Sequence, residues 1–147
     1  MSLVSPVLIV SSRPDHRRQL TELLKDFQFE FLFAGSESCA TAMISEHPVS
    51  LVLCEENLVD GGFRGVLRDV RQSHSDVPVV VISESDEWDT YLEGMQLGAF
   101  DFVASGLRQS EVVSMAGRAL RKKAARATSA GSSHDPRQIA MYPLDAL

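Results

Sequence analysis

The sequence predicts an α/β fold: a doubly wound (βα)5 sandwich, a five-stranded parallel sheet with helices on both faces. Three observations predict it. Short runs of apolar residues alternate strictly with amphipathic stretches. The runs are apolar throughout rather than at every second residue, which suits strands buried on both faces. The 147 residues, 44% hydrophobic and 23% charged, suffice for one buried core without a disulfide or metal staple.

Val7–Val10 is β-branched and apolar and reads as the first strand. Ser12-Arg13-Pro14-Asp15 follows, a hydroxyl with an acid three residues on. That pattern predicts a capping box with Ser12 as cap and Pro14 in the first helical turn. Leu20, Leu23, Leu24 and Phe27 recur at helical spacing and give the first helix one apolar face. Residues 29–34 alternate loosely and read as the second strand. Gly35-Ser36 turns the chain, Ser36 or Ser38 caps a short second helix, and that helix ends near His47-Pro48.

Residues 51–54 are the third strand, closed by Glu55-Glu56-Asn57. Asp60-Gly61-Gly62 marks a turn, and Phe63, Val66, Leu67 and Val70 mark a third helix. Residues 77–82 are the fourth strand, with Pro78 near the start where a missing N–H is tolerable. Asp86 opens a fourth helix carrying Trp88, Leu92 and Met95, and Gly98 sits at its C-terminus. Residues 100–104 are the fifth strand. The fifth helix runs from Leu107 to about Arg126, with Val112, Met115, Ala116, Ala119 and Leu120 inward. One domain is therefore expected over 1–126. A linker-like tail follows over 127–147, whose scattered apolar groups are expected to dock.

The formal charge is −6, from 14 basic and 20 acidic residues, which argues against general nucleic-acid binding. Glu84, Asp86, Glu87, Asp89 and Glu93 form an acidic run, and Arg118, Arg121, Lys122, Lys123 and Arg126 a basic one. Both read as solvated helix faces, with contact to a partner as the sharper alternative. No apolar run reaches the ~20 residues of a membrane span. No basic n-region or long apolar h-region opens the chain, so a reducing, cytoplasmic setting is expected. Two cysteines, Cys39 and Cys54, exclude a disulfide scaffold. The four histidines show no metal-ligand spacing. A hydrolase built on Ser11, Ser83, Ser105 and His16 lacks a Gly-x-Ser-x-Gly elbow and a His or acid placed to support it.

In doubly wound sheets, function gathers at the carboxyl ends of the strands. The residues there are Ser11-Ser12, Glu55-Glu56-Asn57, Ser83-Glu84 and Ser105-Gly106. At this point the chain resembles the receiver domains of two-component response regulators, the CheY-like branch of the flavodoxin-like folds, over roughly Val4 to Arg126. The resemblance rests on Val7-Leu8-Ile9-Val10, on residues 51–61, on residues 79–83 and on residues 98–103. It implies an acidic pair at Ser11 and Ser12, a phosphoacceptor aspartate at Glu55 and a metal-binding backbone carbonyl at Asn57. It also implies a switch hydroxyl at Ser83, a switch aromatic at Phe102 and a lysine at Ser105. Only the hydroxyl, the aromatic and the backbone position survive.

Phosphoryl transfer to a carboxylate brings two negative groups together, and a metal and a lysine must neutralise them. Mg²⁺ usually takes one or two carboxylates in a strict octahedron. Neutral serines stand here instead, and Glu55 is longer than Asp by about 1.5 Å. A misplacement of that size costs on the order of 100-fold in rate. The expectation is a degenerate receiver that has lost Mg²⁺ and phosphorylation, with no cofactor and no catalysis. An atypical working phosphoacceptor and a flavin- or nucleotide-binding flavodoxin-like domain remain the alternatives. Glu55 is read either as a mimic of the phosphorylated state, hydrogen-bonding Ser83, or as a solvated carboxylate. The resemblance places a protein contact face on helix four, strand five and helix five, including Trp88, Tyr91, Phe102 and Leu107. Homodimerisation through that face, a protein partner or an output domain beyond the tail is expected, with no nucleic acid bound by this domain and no membrane. Trp88 reads either as core filling or as an interface anchor.

Overall fold

The computed structural model describes residues 6–27, 29–73, 76–84, 87–104 and 109–130. The strands are β1 (Val7–Val10), β2 (Phe31–Ala34), β3 (Leu51–Glu55), β4 (Val79–Ser83) and β5 (Asp101–Ala104). The helices are α1 (Pro14–Leu23), α2 (Glu37–Glu46), α3 (Phe63–Gln72), α4 (Trp88–Gln96) and α5 (Gln109–Ala130). The strands form one parallel sheet in the order β2-β1-β3-β4-β5. The expected α/β fold, with five parallel strands and five helices in alternation, is what the chain adopts.

β1, β3 and β4 are buried at every position because helices cover both sides. Strand alternation divides their side chains between two cores. Leu8, Val10, Val52, Cys54, Val79 and Val81 meet α2, α3 and α4. Val7, Ile9, Leu51, Leu53, Val80 and Ile82 meet α1 and α5. This parity decides which residues can reach one another at the carboxyl edge.

Several boundaries differ from the sequence expectation. α1 ends at Leu23, and a 3-10 turn over Lys25–Phe27 continues its apolar face. Leu20 and Leu24 stay buried, with Leu23 and Phe27 packed against the same cluster, so the predicted spacing still serves the core. β2 starts two residues late, at the edge of the sheet. α4 starts at Trp88, with Glu87 as N-cap. Asp86, Leu107 and the tail beyond Ala130 lie outside the described residues. α5 continues past Arg126 to Ala130, through alanines that favour helix. A two-residue antiparallel ladder, Asn57–Leu58 against Gly61–Gly62, was not anticipated.

Ser36 caps α2 by accepting the Cys39 N–H at 3.1 Å. Ser12 does not cap α1: Arg13 occupies the N-cap position without a side-chain cap. Gly98 closes α4 with φ +106°, a conformation that favours glycine. Gly94 lets α4 approach the sheet, since a Cβ there would stand 2.0 Å from the Phe102 ring. Among the described residues, no helix is long and apolar enough to cross a membrane.

Candidate functional site

The carboxyl edge gathers the ends of β1, β3 and β4. Glu55 ends β3 with the parity of Leu51 and Leu53, so it points to the α1 side. Ser11 follows β1 with the parity of Val7 and Ile9 and points the same way. The Ser11 hydroxyl donates to Glu55 Oε1. From α1, His16 brings Nδ1 to 2.9 Å from the same oxygen. The Glu55 side chain is 11% exposed and that of His16 21%. Arg17 donates to the Ser11 carbonyl at 2.6 Å and brings its guanidinium to the cluster.

Ser12 has the opposite parity. Its hydroxyl donates to the Gly35 carbonyl at 2.7 Å and accepts the Val59 N–H at 3.0 Å. It thereby ties the turn after β2 to the hairpin after β3, a role that replaces the expected cap. Asp60 at the hairpin tip accepts the N–H groups of Glu37 and Ser38 at 2.7 and 3.2 Å, at the N-terminus of α2. Those backbone donors hold its carboxyl below the usual carboxylate range. Asn57, exposed, pairs with Gly62 in the ladder.

Ser83 shares its parity with Val79 and Val81 and points to the α3–α4 side. Its hydroxyl donates to Glu56 at 2.6 Å, not to Glu55. Phospho-state mimicry through a Glu55–Ser83 bond is thus not what forms. The two side chains leave opposite faces of the sheet, and Glu56, one residue on, is the acid on the Ser83 side. Solvated drift fails too, because Glu55 is buried at 8% exposure.

Phe102 in β5 pairs in register with Val81 and lies under α4. Its ring centroid is 5.2 Å from that of Phe63 and 5.9 Å from that of Tyr91. Tyr91 stacks on Trp88 at 5.1 Å, and Trp88 is 66% exposed. Trp88 therefore does not fill the core. Ser105 and Leu107 lie outside the described residues.

The statement that no His or acid supports Ser11 is corrected: His16 and Glu55 both gather beside it. Their order differs from a nucleophilic triad, because the carboxylate sits between the hydroxyl and the imidazole and Ser11 is fully buried. Cys54 is buried, and burial first, then the Glu55 charge, pushes its thiol pKa up, so it is an inert core thiol. Sequence reasoning placed Glu56 at the carboxyl edge without a partner and gave His16 no role at Glu55. Strand parity beyond the end of β3 carried the first signal; the second needed the placement of α1.

Known proteins bear on this edge. The family described as response regulator receiver domain matches residues 7–117. The transcriptional regulatory protein AruR of Pseudomonas aeruginosa is 30% identical over 152 residues, covering 99% of this chain and 62% of that protein. An NtrX-like response regulator of Rickettsia bellii is 29% identical over 123 residues, covering 81% of this chain and 25% of that protein. The chain thus spans between about a quarter and three fifths of those relatives' length. The signal receiver domain of a Luxo repressor protein from Vibrio parahaemolyticus superposes with a TM-score of 0.81 at 18% identity, over 90% of this chain and all of that domain.

Proposed function

Because the chain belongs to the response regulator receiver domain family of two-component signalling, homologous to NtrX- and PilR-like regulators, we propose that it is a phosphorylation-independent pseudo-receiver that works by protein–protein contact. The observation that carries this reading is the state of Glu55. The carboxylate at the acceptor position is buried and engaged by the Ser11 hydroxyl and His16 Nδ1 on one oxygen.

The same residues do not fit Mg²⁺. A hard dication in an octahedral site takes carboxylate and carbonyl oxygens and water. Among the described residues, Glu55 is the carboxylate on the Ser11 side of the edge, and an imidazole already stands against it. The Ser11 hydroxyl is committed to Glu55, and Ser12 to Gly35 and Val59. The Arg17 guanidinium supplies positive charge from within the protein, where a phosphoacceptor needs it from a metal and a lysine. No metal, cofactor or catalysis is part of this reading.

The contact surface proposed is α4-β5-α5, where the exposed Trp88 stacks on the half-buried Tyr91, with Glu84 and Glu87 before α4 and Asp89 and Glu93 on it. A large exposed aromatic next to polar groups is a suitable interface anchor. The occupant is a second copy of the chain, a protein partner or an output domain. The setting proposed is the cytoplasm, with no nucleic acid bound by this domain.

Incubation with acetyl phosphate and Mg²⁺, read on a phosphate-affinity gel and by intact mass, is expected to leave the protein unmodified. It is expected to leave Glu55→Asp unmodified as well, since the pocket lacks the neutralising charges. Stoichiometric addition of a phosphoryl group to the parent chain would overturn the proposal.

A further inference from the structure

We infer that the free edge of β2 is a self-association site: a second copy of this chain adds its own β2 there, antiparallel, and continues the sheet across a two-fold axis. The inference is independent of the α4-β5-α5 reading.

β2 is an edge of the sheet, with β1 as its neighbour. The Glu30 and Ala34 carbonyls accept the Val7 and Ser11 N–H groups at 2.9 Å. Backbone groups alternate in direction along a strand, so the N–H and C=O of Phe31 and Phe33 point away from β1. Among the described residues, no backbone hydrogen bond reaches them from that side. An unpaired edge is a template for another strand unless charge, proline or a bulge blunts it. β2 reads Phe31-Leu32-Phe33-Ala34 and carries none of these. The opposite edge, β5, opens on Asp101, which pairs with Arg118 at 3.5 Å. Charge thus guards one edge of the sheet and leaves the other bare.

The side chains on this edge are unusual as well. The rings of Phe29, Phe31 and Phe33 follow one another at 6.3 and 6.5 Å along the α1 face. Phe31 packs against the α1–α5 core, but Phe33 is 46% exposed. The strand is complementary to itself. In a two-fold antiparallel pair, residues with outward backbone groups meet one another. Phe29, Phe31 and Phe33 hold the successive outward positions. Phenylalanine therefore stands opposite phenylalanine whether the axis passes Phe31 or Leu32, and facing aromatic pairs stabilise a sheet. The charges fix the direction. Exposed Glu30 precedes β2, and the Arg17 guanidinium lies against Gly35 just beyond its end. Antiparallel pairing brings the acidic end of one copy to the basic end of the other, whereas parallel pairing would set like ends together. Each copy has one such edge, so assembly closes at two. Four residues make a contact smaller than a standard interface, so the dimer is expected to dissociate on dilution.

Sedimentation velocity of the 147-residue chain is expected to give twice the 16.1 kDa chain mass at about 1 mM and the single-chain mass at about 1 μM. Phe33→Lys puts a charge on the edge and is expected to stay monomeric throughout. Far-ultraviolet circular dichroism verifies its folding. Amide hydrogen exchange of the parent chain reads the pairing itself. The Phe31 and Phe33 amides are expected to slow about tenfold from the dilute to the concentrated sample, as when roughly nine chains in ten are paired. The Leu32 amide, turned towards β1, is expected to keep its rate. Should Phe33→Lys unfold, exchange in the parent decides alone. A parent that is monomeric at about 1 mM would overturn the inference. So would a dimer that survives Phe33→Lys, or one in which the Phe31 and Phe33 amides exchange as fast as in the monomer.

Discussion

His16 and Glu55 show how one contact redirects a site. A carboxylate at the end of a buried strand is costly unless it is paired and hydrogen-bonded. Glu55 meets that condition with Ser11 and His16, 44 and 39 positions away in the chain. His16→Ala leaves the carboxylate short of one partner. Loss of a buried partner costs about 1–3 kcal/mol. Urea unfolding of His16→Ala is therefore expected to show a lower midpoint with an unchanged slope. Combination with Glu55→Gln is expected to be less than additive, since both remove one interaction. Additive losses would show that His16 stabilises the fold by another route.

Among the elements, the hairpin after β3 depends on groups outside itself. Two-residue strands supply little pairing of their own, so Ser12 and Asp60 anchor it to the turn after β2 and to α2. The Asp60 pKa is depressed in the folded chain by the N–H groups of Glu37 and Ser38. A depressed folded-state value means stabilisation that is present above the unfolded-state pKa, about 3.9. It is lost as the pH falls through the folded-state value. Asp60→Asn is therefore expected to flatten the acid side of the stability–pH curve below about pH 4. Parallel acid limbs for parent and variant, in urea midpoints measured across that range, would remove Asp60 from the account. Glu93 behaves in the same sense: the Arg64 guanidinium, 2.6 Å away between α4 and α3, lowers its pKa.

For the whole molecule, stability rests on two cores divided by the sheet. Met115 of α5 is 1% exposed and packs with Val7, Ile9, Leu53 and Val80 on the α1–α5 side. Met115→Ala removes that contact without touching the carboxyl edge. Core truncations of this kind cost about 2–5 kcal/mol, a large part of the roughly 5–15 kcal/mol that holds a domain together. One cooperative transition at a much lower urea concentration is expected. A midpoint shift worth less than about 1 kcal/mol would show that α5 is not part of the core. The same division explains the edge: groups of one parity reach α1, and groups of the other reach α3 and α4.

The sequence by itself determined the α/β class, the five alternating strands and helices, the apolar faces, a serine cap on α2 at Ser36 or Ser38, and the Gly98 helix end. Each depends on local periodicity or on one residue's backbone preference, and both are written in neighbouring positions. It also displayed the exchange of acidic residues for Ser11 and Ser12. The partners at the carboxyl edge were decided only by the tertiary structure. His16 joins Glu55, Glu56 takes Ser83, Ser12 leaves its helix for Gly35 and Val59, and Trp88 faces outward. Hydrogen bonds act over about 3 Å, so residues dozens of positions apart acquire partners only when strand register and helix placement bring their atoms within that distance.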